Sequence, residues 1–315
     1  MILKMKKVHI SAINRKLKED QNDFIHKCEK SYFSQVKSMA DVIYQRGDSR
    51  PIVLLSGPSG SGKTTTSLKL EQYLDSMGMC THTISMDNYF LPAHENHLAK
   101  NENGEIDYES PYRLDIPLLN EHMMKIANCE EVILPSFDFK RQERVKGDIL
   151  KRNPGDIVVF EGIHALNPDV TGMTDGFANC VYVSVRSRIQ TSDGACLHPC
   201  MIRLMRRIIR DKFFRARQPA ETLAMFDSVE RGENLYIMPY KQRAEFNIDT
   251  FIPYEVSVYK SFLYDDLTKA LKACDDFDKF CLITSVFDEL DTLNIDLVPP
   301  NALIREFIGG SSYEY

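Results

Sequence analysis

A chain of 315 residues, 43% hydrophobic and 27% charged, has the material for one large globular core with appended elements. Its net charge of −6 excludes wholesale attraction to nucleic acid, although local basic patches are compatible with it. No uncharged apolar run reaches the length of a membrane span, and the first residues mix Lys and His into apolar positions, so a secretory core is missing. The eight cysteines then read as reduced thiols of a cytoplasmic protein rather than a disulfide framework.

In chain order, Phe24, Ile25, Cys28, Tyr32, Val36, Met39 and Val42 recur at helical spacing, which predicts a helix from Asp23 to Tyr44 that Gly47 and Pro51 end. Residues 1–50 are therefore expected as a helical extension. From residue 51 to 255, short β-branched runs alternate with helical or polar stretches. The runs Ile52–Leu55, His82–Met86, Val132–Leu134, Ile157–Phe160 and Val181–Val185 are expected as buried strands of a parallel sheet wrapped by helices. Beyond Asp249 amphipathic helical patterning takes over, as in Val258–Ala273, so residues 256–315 are expected as a second helical extension. No internal repeat or low-complexity tract interrupts the chain.

The strongest motif is Gly57-Pro58-Ser59-Gly60-Ser61-Gly62-Lys63-Thr64, which satisfies G-x-x-x-x-G-K-[ST] between an apolar run and a helix that Gly78 stops. Glycines let backbone N–H groups converge on phosphate oxygens, and the helix N-terminus adds partial positive charge. Together with Thr65 this segment is expected to bind the phosphates of ATP, with Lys63 reaching the β- and γ-phosphates and the Thr64 hydroxyl ligating Mg²⁺. The fold class that follows is a P-loop three-layer α/β sandwich with a central parallel sheet. Two further strands end in acid. Glu161 closes Ile157–Phe160, where a carboxylate helps hold Mg²⁺, and Asp87 follows His82–Met86 at the strand end where ligands gather. Asp87 is either the group that takes a proton from an attacking hydroxyl or a helix N-cap, and the two are compatible.

Residues 203–217 (RLMRRIIRDKFFRAR) place Arg203, Arg206, Arg207 and Arg210 on one helical face, with Arg215 and Arg217 at its end. Beside a P-loop this run is expected as a lid over the transferred phosphate; a solvated face and a nucleic-acid stripe are the rival readings. A GTPase would carry N-K-x-D, which is absent from the sequence.

With these pieces in order, residues 52–255 resemble the uridine kinase and phosphoribulokinase superfamily. The likeness is carried by the P-loop, SMDNYF (Ser85–Phe90), PSFDFKRQER (Pro135–Arg144), VVFEGIHAL (Val158–Leu166) and the arginine run, and IREFIGGSSYEY (Ile304–Tyr315) resembles the ending of bacterial uridine-kinase-like proteins. The resemblance implies that Asp87 receives the nucleoside 5′-hydroxyl proton, that Thr64 and Glu161 belong to the magnesium site, and that Glu109 grips the ribose hydroxyls. It also implies that Tyr89 and Arg144 lie near the ribose, and that Arg207, Arg210, Arg215 and Arg217 are the lid arginines. Where the family places a tyrosine and a histidine to recognise the base, this chain has Phe137 and Gln142. The transfer machinery therefore carries over more safely than the identity of the base.

The function expected is transfer of the ATP γ-phosphate to a small hydroxyl-bearing acceptor, a nucleoside first, with homo-oligomerisation compatible. A sugar-phosphate or pantothenate-like acceptor is the nearest rival, and an RNA-binding regulator that kept the fold is the rival from another class. Neither a membrane nor a nucleic-acid partner is expected for the enzyme. Cys196, His198 and Cys200 offer at most three soft ligands and fit a helix start better than a zinc site. His164 is placed near the site by its position after Glu161.

Overall fold

The computed structural model describes residues 6–92, 94, 99–100, 102, 104–272 and 277–315. The chain opens with β1 (Lys7–His9), α1 (Ile10–Glu19) and α2 (Gln21–Arg46), followed by β2 (Ile52–Ser56), α3 (Lys63–Ser76), β3 (Thr81–Ser85) and α4 (Ile116–Ala127). Then come β4 (Glu131–Asp138), β5 (Glu143–Lys151), β6 (Ile157–Glu161), α5 (Pro168–Thr171), β7 (Ala178–Ser184), β8 (Arg188–Gln190) and β9 (Cys196–Leu197). The last part holds α6 (Pro199–Phe214), α7 (Pro219–Ala224), α8 (Phe226–Tyr236), β10 (Phe246–Asp249), α9 (Glu255–Lys272), α10 (Phe277–Glu289) and α11 (Arg305–Ile308).

Five strands form a parallel sheet in the order β10-β7-β2-β6-β3. β2 is buried at every position and β6 at all but its last, because helices cover both faces and leave no side on which a polar residue could alternate outward. The expected run Val132–Leu134 does not join this sheet. It lies in β4, whose side chains alternate between exposed and buried, and it pairs antiparallel with β5 as a separate hairpin. The fifth strand is β10, which was not foreseen: only Ile248 of its four residues is fully buried, so it lacks the apolar run that marks the others.

The helix expected over Asp23–Tyr44 is α2, extended at both ends, and its buried face packs on α3 and β10. Asp20 caps it by accepting the Asp23 N–H at 3.0 Å. Buried residues of α1, α2, α6, α9 and α10 belong to one continuous apolar cluster with the sheet, so both ends of the chain share the core of the middle. The pairing register fixes what matters for the site. Leu55 lies opposite Glu161, and Glu161 opposite Ser85, so the P-loop, Glu161 and Asp87 leave the sheet at one level of its carboxyl edge.

Candidate active site

The segment Gly57–Thr64 passes from β2 into α3, and its glycines are required by space and dihedral angle. A Cβ on Gly57 would lie 2.0 Å from the Val183 carbonyl oxygen, a backbone atom that cannot yield, and Gly62 starts α3 from the left-handed region at φ +82°. The loop is held from beneath. Arg203 and Arg206 donate to the carbonyl oxygens of Ser59 and Gly60 at 3.1 and 3.0 Å, Arg207 donates to Ser59 Oγ at 2.6 Å, and Thr250 donates to the Ser61 carbonyl oxygen at 2.6 Å. With these carbonyls tied down and the Ser61 N–H bonded to the Pro58 carbonyl oxygen at 3.1 Å, the remaining N–H groups of the loop are the ones an anion would take. The buried Ser61 Oγ has no hydrogen-bond partner among the described residues, a second sign of polar capacity kept for something else.

Around the cradle stand a lysine and three acids. Lys63 Nζ lies 3.6 Å from Glu161 Oε1, both side chains nearly buried. Glu161 is raised to about 7, by burial first, with Lys63 pulling it down and Asp87 and Glu306 adding to the rise. Asp87 is raised by burial against the pull of Lys63, Arg215 and Arg113. Glu109 is also raised, by burial first, with Arg207 pulling it down and Asp107 adding to the rise. Ser85, not Asp87, caps the turn Met86–Tyr89, by accepting the Asp87 N–H at 3.3 Å, so the Asp87 carboxylate is not used as a cap. Carboxylates held back from ionising beside cations are groups poised to exchange protons or take a cation.

The arginine run divides in two. Arg203 makes a bidentate pair with Glu233 at 2.8 and 2.7 Å, and the wholly buried Arg206 pairs with Glu255 at 2.8 and 3.1 Å. The first part of α6 is thus a fixed foundation, buried on both faces, and not an exposed stripe. Arg210, Arg215 and Arg217 instead gather on the buried Asp211, at 3.1, 3.4 and 3.4 Å. Burial pushes Asp211 up, yet Arg210 and Arg215 hold its carboxyl below the usual range. Arg207 stands between the two groups, its own basicity pushed down to about 10 by burial and by Arg210.

Two expected substrate contacts have partners within the protein. Tyr89 is fully buried, and its hydroxyl bonds to His122 Nδ1 at 3.0 Å. Gln142 sits at the tip of the β4–β5 hairpin at φ +56°, and its amide donates to the Phe139 carbonyl oxygen at 2.8 Å, so its polar group closes the turn. Arg144 reaches Asp115 at 2.8 Å and the carbonyls of Tyr89 and Phe90, fastening the hairpin to the segment after Asp87. Phe137 joins a cluster of edge-to-face rings with Phe90 and Phe139 at 5.7 and 5.2 Å. His164 is buried, with its proton affinity pushed down to about 4 by burial, and its Nδ1 lacks a partner among the described residues.

Sequence reasoning passed over Arg113 and Asp211. Arg113 is buried, stacks over Phe90 and Tyr108 at 5.1 and 5.0 Å, and pulls on Asp87. Its signal was a lone Arg in Ser110–Asp115, and that of Asp211 a lone acid among arginines; neither announces itself without the fold.

Cys196, His198 and Cys200 do not converge on one point. His198 Nδ1 accepts the Cys200 N–H at 3.3 Å as the cap of α6, and Cys196 Sγ turns to the Gly194 carbonyl oxygen. Among the described residues, ligand atoms of three metal-binding types come within 4.8 Å of one another at Cys80, His82 and Asp156. That group lies at the amino edge of the sheet, opposite the P-loop. No helix of the described residues is long and apolar enough to cross a membrane.

A profile of the phosphoribulokinase / uridine kinase family matches residues 52–257. A uridine kinase of Staphylococcus haemolyticus is 27% identical over 199 residues, 62% of this chain and 86% of that protein. The inorganic pyrophosphatase TTM2 of Arabidopsis thaliana is 28% identical over 221 residues, 70% of this chain but 28% of that longer protein. Among solved structures, D-glycerate 3-kinase from Cryptococcus neoformans aligns with a TM-score of 0.46 at 15% identity, covering 66% of this chain and 87% of its own. With the matched span enclosing the P-loop, the acid-ended strands and the arginine run, the chain belongs to the phosphoribulokinase and uridine kinase family of phosphotransferases.

Proposed function

We propose that this protein is an ATP-dependent nucleoside kinase that transfers the γ-phosphate to the 5′-hydroxyl of uridine or cytidine. The observation that carries the reading is the alignment of Lys63, Glu161 and Asp87 along one sheet edge, with Glu109 and Arg207 facing the same cleft. In this reading the N–H groups of Gly57–Thr65 and Lys63 hold the donor phosphates. Thr64 and Glu161 would hold Mg²⁺, which when bound offsets phosphate charge. The unpartnered Ser61 hydroxyl and the raised, cation-ready Glu161 fit that cargo. Asp87 orients the acceptor hydroxyl and takes its proton as the new O–P bond forms and the bond to the β-phosphate oxygen breaks, releasing ADP. Arg210, Arg215 and Arg217 face the charge of the moving phosphoryl group, and Glu109 accepts from the ribose hydroxyls. Residues 51–255 are the kinase region, with residues 1–50 and 256–315 packed on it, in a cytoplasmic enzyme.

A second reading, a non-nucleoside hydroxyl acceptor, is favoured by one observation: the two base-recognition positions are a ring packed among rings and an amide closing a turn. A panel of nucleosides, sugar phosphates and pantothenate-like alcohols, assayed for ADP release, separates the two. Uridine and cytidine leading the panel supports the first reading; a sugar phosphate leading it replaces the first with the second, and ADP release independent of any acceptor sinks both.

A further inference from the structure

The cradle that would take the donor already has an anion at its rim. Glu306 Oε2 accepts from the Thr65 backbone N–H at 3.2 Å and from Thr65 Oγ1 at 2.6 Å, and the Tyr315 hydroxyl meets the same Oγ1 at 3.0 Å. Thr65 lies in the first turn of α3, where backbone N–H groups have no intrahelical partner and the helix presents partial positive charge. In a P-loop these amides cradle the donor phosphates. A carboxylate and a phosphate oxygen cannot both accept the same N–H.

We propose that Glu306 is a donor-affinity residue: an internal anion seated on the Thr65 amide, which the nucleotide phosphates displace on binding. The inference rests on the kinase reading of the site.

The position of Glu306 is built, not incidental. Leu303, Ile304 and Phe307 around it are fully buried, and Leu303 lies against Gly62, where a Cβ would come within 2.8 Å of its Cδ1. The Phe307 ring lies 5.3 Å from the Arg206 guanidinium, the same one that holds the Gly60 carbonyl. Arg305 fastens the segment from the other side, donating to the carbonyls of Val298 and Ile295 at 2.6 and 3.1 Å. The backbone of α11 is therefore fixed against the P-loop, and release of the amide needs only rotation of the partly buried Glu306 side chain. The field of this carboxylate reaches the site itself, where it contributes to the raised Glu161. A donor that binds must break a charge-assisted pair of hydrogen bonds and accept a like charge nearby; both terms oppose phosphate and leave an uncharged nucleoside untouched.

The test is calorimetric binding of ATP, inorganic tripolyphosphate and adenosine to the full-length protein and to Glu306→Gln and Glu306→Ala, with no acceptor present. Both variants are expected to bind ATP and tripolyphosphate about tenfold more tightly, the effect of removing one competing charged hydrogen bond, with adenosine unchanged. Tyr315→Phe, which removes one hydroxyl and no packing, is expected to shift tripolyphosphate in the same direction by less. Unchanged or weakened tripolyphosphate affinity in folded Glu306→Gln overturns the proposal, because the carboxylate would then be structural or part of the donor site. Wild-type protein that binds neither ATP nor tripolyphosphate overturns the kinase reading as well, so the two failures are told apart.

Discussion

Asp87 and Glu161 share one difficulty, a carboxylate in a place that disfavours its charge, and each leads to a measurable result. Asp87→Asn keeps the shape and removes the proton acceptor, so turnover should fall by about 10²–10⁴-fold while ATP affinity stays within a factor of a few. Full turnover in that variant would remove Asp87 from the chemistry. Glu161 sits at about 7 when folded, above its ordinary value of 4.5. Between those values the unfolded chain carries the charge and the folded one does not, so folding binds a proton, and stability falls as pH rises from the unfolded value through about 7. Thermal unfolding of the ligand-free protein should therefore show its midpoint dropping over that window, and Glu161→Gln should flatten the drop. At this scale the sequence was readable where a motif brings its own backbone, as at Gly57–Thr64. It was unreadable where a side chain's partner is distant: Arg206 finds Glu255, Tyr89 finds His122 and Thr65 finds Glu306 only once the chain is folded.

Helix α6 shows what an element adds to its residues. Its arginines share a spacing, yet carboxylates from α8 and α9 neutralise two of them and set them as a footing for the P-loop, while the end of the helix keeps three cations on a single acid. Besides the three arginines, the Asp211 carboxylate accepts from the Thr222 hydroxyl at 3.3 Å, so its charge is answered mostly by arginine. Asp211→Asn removes the shared partner of three guanidinium groups that are themselves partly exposed, and should cost about 1–3 kcal/mol in urea unfolding. If the three arginines serve transfer, the same variant lowers kcat more than it raises KM; equal stability loss with unaltered kcat would confine Asp211 to the fold. Spacing indicated the helix and put four of its arginines on one face. It could not say which cations face acids, because i, i+3 and i+4 periodicity describes one helix and the acids lie on others. The same limit explains β4, whose short apolar run is equally compatible with a core strand and a hairpin arm.

At the scale of the whole molecule the two ends are not ornaments on a central sheet. The Tyr32 hydroxyl of α2 bonds to Thr66 of the P-loop helix at 2.8 Å, Asn14 of α1 donates to the Glu289 carbonyl oxygen at 2.7 Å, and the last residue reaches Thr65. A cavity in α2 should therefore be felt everywhere. Ile43→Ala, at a fully buried site, should cost about 2–5 kcal/mol and still unfold in one transition; two separate transitions would show that the ends fold apart from the middle. The layered α/β order of the middle was legible because buried parallel strands leave unbroken apolar runs. The interlocking of the ends was not, because an amphipathic helix shows that it has a face to bury and not what buries it.

Arg206 has a consequence for how the protein breathes. Its guanidinium joins the Gly60 carbonyl, Thr250 and Glu255 with the Phe307 ring stacked beside it, so three distant stretches of chain meet on one side chain that no solvent reaches. A loop anchored in this way has lost its freedom before any ligand arrives, and binding then carries little ordering entropy. Backbone ¹⁵N order parameters across residues 57–64 should already match those of the neighbouring strands in the ligand-free protein, and Arg206→Met should lower them. The cradle would then be a stiff receptor whose shape is set by a buried cation on its far side.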